Sequence, residues 1–139
     1  MERTKKYQIT LTEKQLILMA RCVEDCSRFA AGQTGLDNTL LFIGRYPYSK
    51  LCRTLQDLQF LVTPGLGRGA SYGWNGGSCP NVEQRKFIAQ SYYLYREIYH
   101  QHNLVEGIDN VYTSETLRCA DSGESIQVKV IDDGTNEKR

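Results

Sequence analysis

Residues 63–81 read TPGLGRGASYGWNGGSCPN, and their reading decides how the chain divides. The stretch holds six of the twelve glycines, the single tryptophan and two of the three prolines. Pro64 pushes Thr63 out of the helical region, so a preceding helix must stop there. At the far end Asn81 is a good N-cap, with Gln84 three residues on in a capping-box pattern, so another helix starts beyond it. Nineteen residues without helical or strand period make a long loop. Loops of that length are usually functional or disordered. Leu66, Tyr72 and Trp74 argue against disorder, so the stretch is expected to be the working surface.

Helical periods flank it on both sides. Upstream, Leu51, Leu55, Leu58 and either Leu61 or Val62 make the buried stripe of a helix over 49–62, opened by Pro47 and Ser49. Further upstream, Thr12 and Gln15 form a capping box, and Glu13 suits the positive end of a helix over 13–31. Leu16, Ala20, Val23, Ser27 and Ala30 lie on its apolar stripe. Arg21, Glu24, Asp25 and Arg28 lie opposite, with Arg28 a candidate ligand-facing cation held by Glu24 at i,i+4. The run Leu40, Leu41, Phe42 and Ile43 is too short to separate strand from helical turn. Downstream, a helix over 82–102 carries Phe87, Ser91, Leu94 and Ile98 on one face and Ile88, Tyr92, Tyr95 and Tyr99 on the next. The tyrosines read as a core edge with wet hydroxyls rather than a base-stacking platform.

Period-2 alternation marks three strands. Tyr7, Ile9 and Leu11 alternate with Gln8 and Thr10 over 5–11. Residues 111–119 and 125–131 form a hairpin turning at 120–124, where Gly123 supplies a positive φ. The expected fold is therefore α+β: three helices packed on a small antiparallel sheet made of the N-terminal strand and the C-terminal hairpin. The chain of 139 residues reads as a single domain, 1–139, with 132–139 a frayed tail.

Composition narrows the partners. A net charge of +1 argues against an extended nucleic-acid surface. No apolar run reaches membrane-span length and no signal-peptide pattern opens the chain, so a cytoplasmic setting is expected. Five cysteines without a C-x-x-C pair do not suggest a disulfide framework, and Cys22, Cys26 and Cys52, in predicted helices, read as reduced, small apolar core residues. A zinc site drawing on Cys22 and Cys26 with His100 or His102 fits no common module, so neither metal nor cofactor is expected.

The glycines of 65–69 are not a dinucleotide fingerprint, since they follow a helix, and no Walker A ending follows. The junction 76–81 is more informative: it feeds a helix N-terminus, where free N–H groups attract anions. Arg85 and Lys86 in the first turns oppose the dipole, a penalty that a bound anion would remove. The expected ligand-binding set is Arg68, Ser71, Tyr72, Trp74, Asn75, Gly76, Gly77, Ser78, Arg85, Lys86 and Arg28. Trp74 and Tyr72 would stack on a base, Arg68 and Arg85 would pair with phosphate, and Asn75 and Ser78 would make polar contacts. Trp74 could equally anchor the loop to the core. Cys79 near a helix start could act as a nucleophile, though no histidine is placed by sequence to serve it.

The runs LTEKQLILMA and VEDCSRFAAGQ, followed by LVTPGLG and SYGWNGGSCPN, resemble small uncharacterised proteins encoded by bacteriophages and mobile elements. The resemblance implies a genomic setting, in the host-cell cytosol, where small single-domain proteins often counter host defence. The function expected first is a non-enzymatic binding protein that sequesters a phosphate-bearing small molecule, a cyclic nucleotide or an ADP-ribose-type signal, as a homo-oligomer. The alternatives are a protein-interaction module anchored on Trp74, which would inhibit a host protein, and a small enzyme with Cys79 as nucleophile.

Overall fold

Thr12 caps the first helix as its sequence predicts. Its hydroxyl accepts from the Gln15 N–H at 3.2 Å, and the Gln15 side chain accepts from the Thr12 N–H at 2.9 Å. The computed structural model describes residues 4–35, 48–107 and 118–134. Among them stand three α-helices, α1 (Glu13–Ala30), α2 (Tyr48–Val62) and α3 (Val82–Val105), and a 3-10 turn over Ala120–Ser122. Leu40, Leu41, Phe42 and Ile43 lie outside the described residues.

α1 ends in a Schellman motif. The Gln33 N–H reaches the Arg28 carbonyl at 2.8 Å and the Gly32 N–H reaches Phe29 at 3.0 Å. Gly32 sits at φ +103°, a conformation that glycine adopts freely. The stripe behaves as read, with Ala20 and Ser27 fully buried.

α3 is the central element. It buries Ile88, Ala89, Ser91, Tyr93, Tyr95, Glu97 and Ile98, so it is covered on several sides rather than along one stripe. α1 packs along it antiparallel. Ser27 near the end of α1 donates to the Ile88 carbonyl near the start of α3, and Glu13 at the start of α1 meets His102 near the end of α3. α2 is tied in partly through its backbone: the Thr34 hydroxyl donates to the Leu55 carbonyl.

The α+β expectation is overturned, because the described residues contain no strand and no sheet. Residues 5–11 alternate as a strand does, but their backbone has no ladder partner and Tyr7 and Ile9 stand 87% and 68% exposed. Alternation specifies a strand only where one face is buried, and here neither is. Residues 125–131 form no strand, and the Ile126 N–H is taken by the Tyr93 hydroxyl at 3.0 Å. Most of the other hairpin arm, 111–117, lies outside the described residues. The C-terminal segment lies against α3 instead. Arg118 rests on the Tyr93 ring at 4.8 Å, and Asp121 pairs with Arg85 at 2.9 Å. Gly123 does take the positive φ read for it, +80°, but turns the chain along a helix and not into a hairpin.

Candidate functional site

The glycine-rich segment is held from inside. Gln59, in the last turn of α2 and only 4% exposed, donates through its amide nitrogen to the Gly67 and Ala70 carbonyls at 2.8 and 3.0 Å. Its amide oxygen accepts from the Gly69 N–H at 2.9 Å. One buried side chain thus satisfies three backbone groups that the loop would otherwise leave unpaired. The segment then crosses to α1, where the Tyr72 N–H donates to the Ala31 carbonyl at 2.8 Å.

A second glutamine closes the joint. Gln84 does not complete a capping box at Asn81, although Asn81 does cap α3 by accepting from the Gln84 N–H. The Gln84 side chain instead donates to the Ala30 carbonyl at 2.8 Å and the Val62 carbonyl at 3.1 Å. Those are the terminal residues of α1 and α2, whose last carbonyls have no partner within their own helices.

The backbone turns so tightly that its side chains sort by direction. Tyr72 and Cys79 point inward and, with Ala31 and Ile88, form a core cluster against which Ala30 and Leu66 pack. Gly76, at φ +65°, lies so close to α3 that a Cβ would stand 3.2 Å from Arg85 backbone atoms and from Ile88. Trp74 points outward, 38% exposed, with its ring on Tyr92 at a centroid distance of 5.3 Å.

Trp74 is the first rung of an aromatic ladder. Tyr92 meets Tyr95 edge-on at 5.1 Å, and Tyr95 meets Tyr99 at 5.9 Å. Edge-to-face contacts of this kind are worth about 0.5–1.5 kcal/mol beyond burial. The Arg96 guanidinium lies 5.9 Å from the centre of the Tyr92 ring. Glu24 on α1 binds both ends of the arrangement, accepting from the Tyr99 hydroxyl at 3.1 Å and from Arg28 at 2.9 Å. Arg28 also donates to the Gln33 side chain at 3.0 Å. Burial works against the Arg28 charge, but the Glu24 hydrogen bond and the nearby phenols hold its pKa above the usual arginine value. Burial drives the Tyr95 phenol well above the ordinary tyrosine range. Burial, and then the Glu24 charge, push Tyr99 up to about 12. Tyr95 and Tyr99 are therefore neutral phenols at physiological pH.

The residues singled out by sequence are dispersed. Trp74 stands on Tyr92, whereas Arg28 is paired with Glu24 and Gln33. Arg68 stands apart, its guanidinium 5.1 Å from the Phe60 ring centre. Tyr72 is buried in the core. Ser71 accepts from the Gly73 N–H, and Asn75 from the Gly77 N–H. Ser78 and Lys86 are exposed. At the junction the Cys79 N–H is taken by the Gly76 carbonyl, and the Arg85 charge is met by Asp121. Balancing Arg85 therefore requires no bound anion. The Cys79 thiol is 3% exposed and donates to the Asn81 carbonyl at 3.5 Å.

Gln59, Asp121 and Arg96 were not singled out, and Gln84 was read only as part of a capping box. The tyrosine spacing at 92, 95 and 99 was the available signal for the ladder; nothing local marks the two glutamines, whose partners lie in other elements. Comparison of the chain with protein-family models, curated proteins and solved structures finds no match. No helix of the described residues is long and apolar enough to cross a membrane.

Proposed function

We propose that the protein works by binding another protein through the face formed by Trp74, Tyr92 and Arg96. The observation that carries this reading is the combination at Trp74: a large ring held outward on a loop whose backbone is fixed by Gln59 and Ala31. Such an anchor loses little entropy on association, and tryptophan and arginine are the side chains most enriched among binding hot spots. The resemblance to small phage and mobile-element proteins adds a setting in which blocking a host protein would be useful. The test is capture from host lysate on immobilised protein, beside Trp74→Ala with its helicity checked by circular dichroism. A stoichiometric partner held by the wild type and lost in the variant supports the reading. A partner held equally by both removes this face from it.

A second reading keeps a phosphate-bearing small molecule of the cyclic-nucleotide or ADP-ribose type. What favours it is the Arg96 guanidinium 5.9 Å from the centre of the half-buried Tyr92 ring, beside the exposed Trp74, a combination that takes both phosphate and base. In this form the site moves from the helix N-terminus to the ladder, and a second copy of the chain would complete it. Calorimetry against cyclic di- and trinucleotides and ADP-ribose isomers discriminates: heat lost in Trp74→Ala and Arg28→Ala favours the ligand, and no heat with any of them removes it.

A further inference from the structure

We propose that Glu13, His102 and Glu106 bind a single first-row divalent metal ion, with Zn2+ the reference case. The three come from two helix ends. Glu13 is the first residue of α1, and His102 and Glu106 lie one turn apart at the end of α3. Residues four apart share one helix face, and the antiparallel packing brings the start of α1 to that face. One donor atom from each of the three lies within 4.8 Å of the other two. The His102 Nε2 and a Glu13 carboxylate oxygen are already 2.7 Å apart.

The donor chemistry selects the ion. One imidazole nitrogen and two carboxylate oxygens suit borderline cations of the zinc class, and three protein ligands leave further positions to water. Oxygen and nitrogen ligands of a tetrahedral ion stand roughly 3.3–3.6 Å apart. The pair at 2.7 Å opens slightly, the third ligand closes in, and the ion takes the place of the bridging proton. Glu13 is 63% exposed at its side chain and His102 21%, so the site can be entered and can adjust.

Electrostatics favour the same outcome. Glu106 is the C-cap of α3, at the negative end of the helix dipole, where a carboxylate is disfavoured. Two carboxylates and a helix C-terminus converge there on one imidazole. A divalent cation offsets all three. Without metal, the Glu13–His102 contact remains a hydrogen bond that pins the two helix ends.

The measurement is Zn2+ titration of metal-stripped protein by chelator competition, repeated with Co2+ for its optical spectrum. Cys22 and Cys26 are exposed thiols on α1 and could compete, so the Cys22→Ser/Cys26→Ser variant is titrated alongside. One ion per chain is expected, unchanged in the serine variant, with cobalt bands that lack thiolate charge transfer. His102→Gln and Glu106→Gln should each weaken binding by more than about tenfold and abolish the metal-induced rise in Tm. Glu106 is exposed, so its variant reads the site even if His102→Gln perturbs the helix packing. Absence of binding in the wild type, equal binding in Glu106→Gln, or binding lost only with the cysteines would each overturn the proposal.

Discussion

The bare Cα of Gly32 lies against Thr63, so close that a Cβ on Gly32 would come within 2.6 Å of the Thr63 methyl carbon. Thr63 is wholly buried and its hydroxyl is committed to the Gln59 carbonyl at 2.9 Å, so it has little room to yield. Gly32→Ala therefore meets both a clash and an unfavourable positive φ. A loss of about 2–4 kcal/mol is expected in urea unfolding. Gly65→Ala, at φ +90° with open space around it, should cost about 1 kcal/mol. Equal losses at the two sites would show that backbone conformation alone matters and that the Thr63 contact does not.

Among the described residues, Gln84 is a single side chain that serves the ends of both α1 and α2. Gln84→Ala leaves two carbonyls without that donor and should cost about 2 kcal/mol. Gln84→Glu should cost more, because it keeps the shape but turns an oxygen toward each carbonyl. Chemical denaturation of the two variants gives the order, and a Glu variant as stable as the wild type would contradict the assignment.

Gln59 fixes the loop, and Arg68 on that loop is an exposed trypsin site. Gln59→Leu preserves bulk but removes the internal template for Gly67, Gly69 and Ala70. Cleavage after Arg68 should accelerate roughly tenfold for each ~1.4 kcal/mol of local stability lost. Mass spectrometry of the early fragments reads this directly. Unchanged cleavage would mean that the loop is held by its other contacts.

Tyr99 gives a pH signature. Its folded pKa of about 12 exceeds the ordinary tyrosine value of 10.0, so the folded state favours the protonated phenol. The stabilisation is complete below about pH 10 and is lost as pH rises through about 12. Unfolding titrations across that window should show stability falling with pH, and Tyr99→Phe should flatten the fall. Phenolate absorbance should show at least one late-titrating tyrosine that the variant lacks.

The helices were legible because their signals are local. Thr12 with Gln15, and Asn81 ahead of Val82, announce two helix starts within four residues, and Pro64 announces a stop. The strands were misread because alternation in 5–11 and 125–131 is real but unpartnered: Tyr7, Ile9 and Ile131 are exposed. A pattern of side chains cannot say whether a second strand exists to accept it. The centrality of α3 was hidden for a different reason. Its buried faces include Ser91, Tyr93 and Glu97, which a hydropathy stripe counts as polar. In the candidate site, Trp74 and its glycines were visible, but the direction of each loop residue was not. Tyr72 and Trp74, two positions apart, go to the core and to solvent because Gly73 between them takes φ +89°.

The joint at Gln84 also sets an order of events. Its two acceptors lie 54 and 22 residues earlier in the chain. While the polypeptide is being synthesised, α1 and α2 leave the ribosome with their last carbonyls facing water, and nothing local can close them. Only when α3 follows does one amide reach both ends. The ends of α1 and α2 are thus joined by a residue of the chain's second half, so the joint is expected to close only after α3 has formed. Nascent chains stalled before residue 84 should remain protease-sensitive throughout.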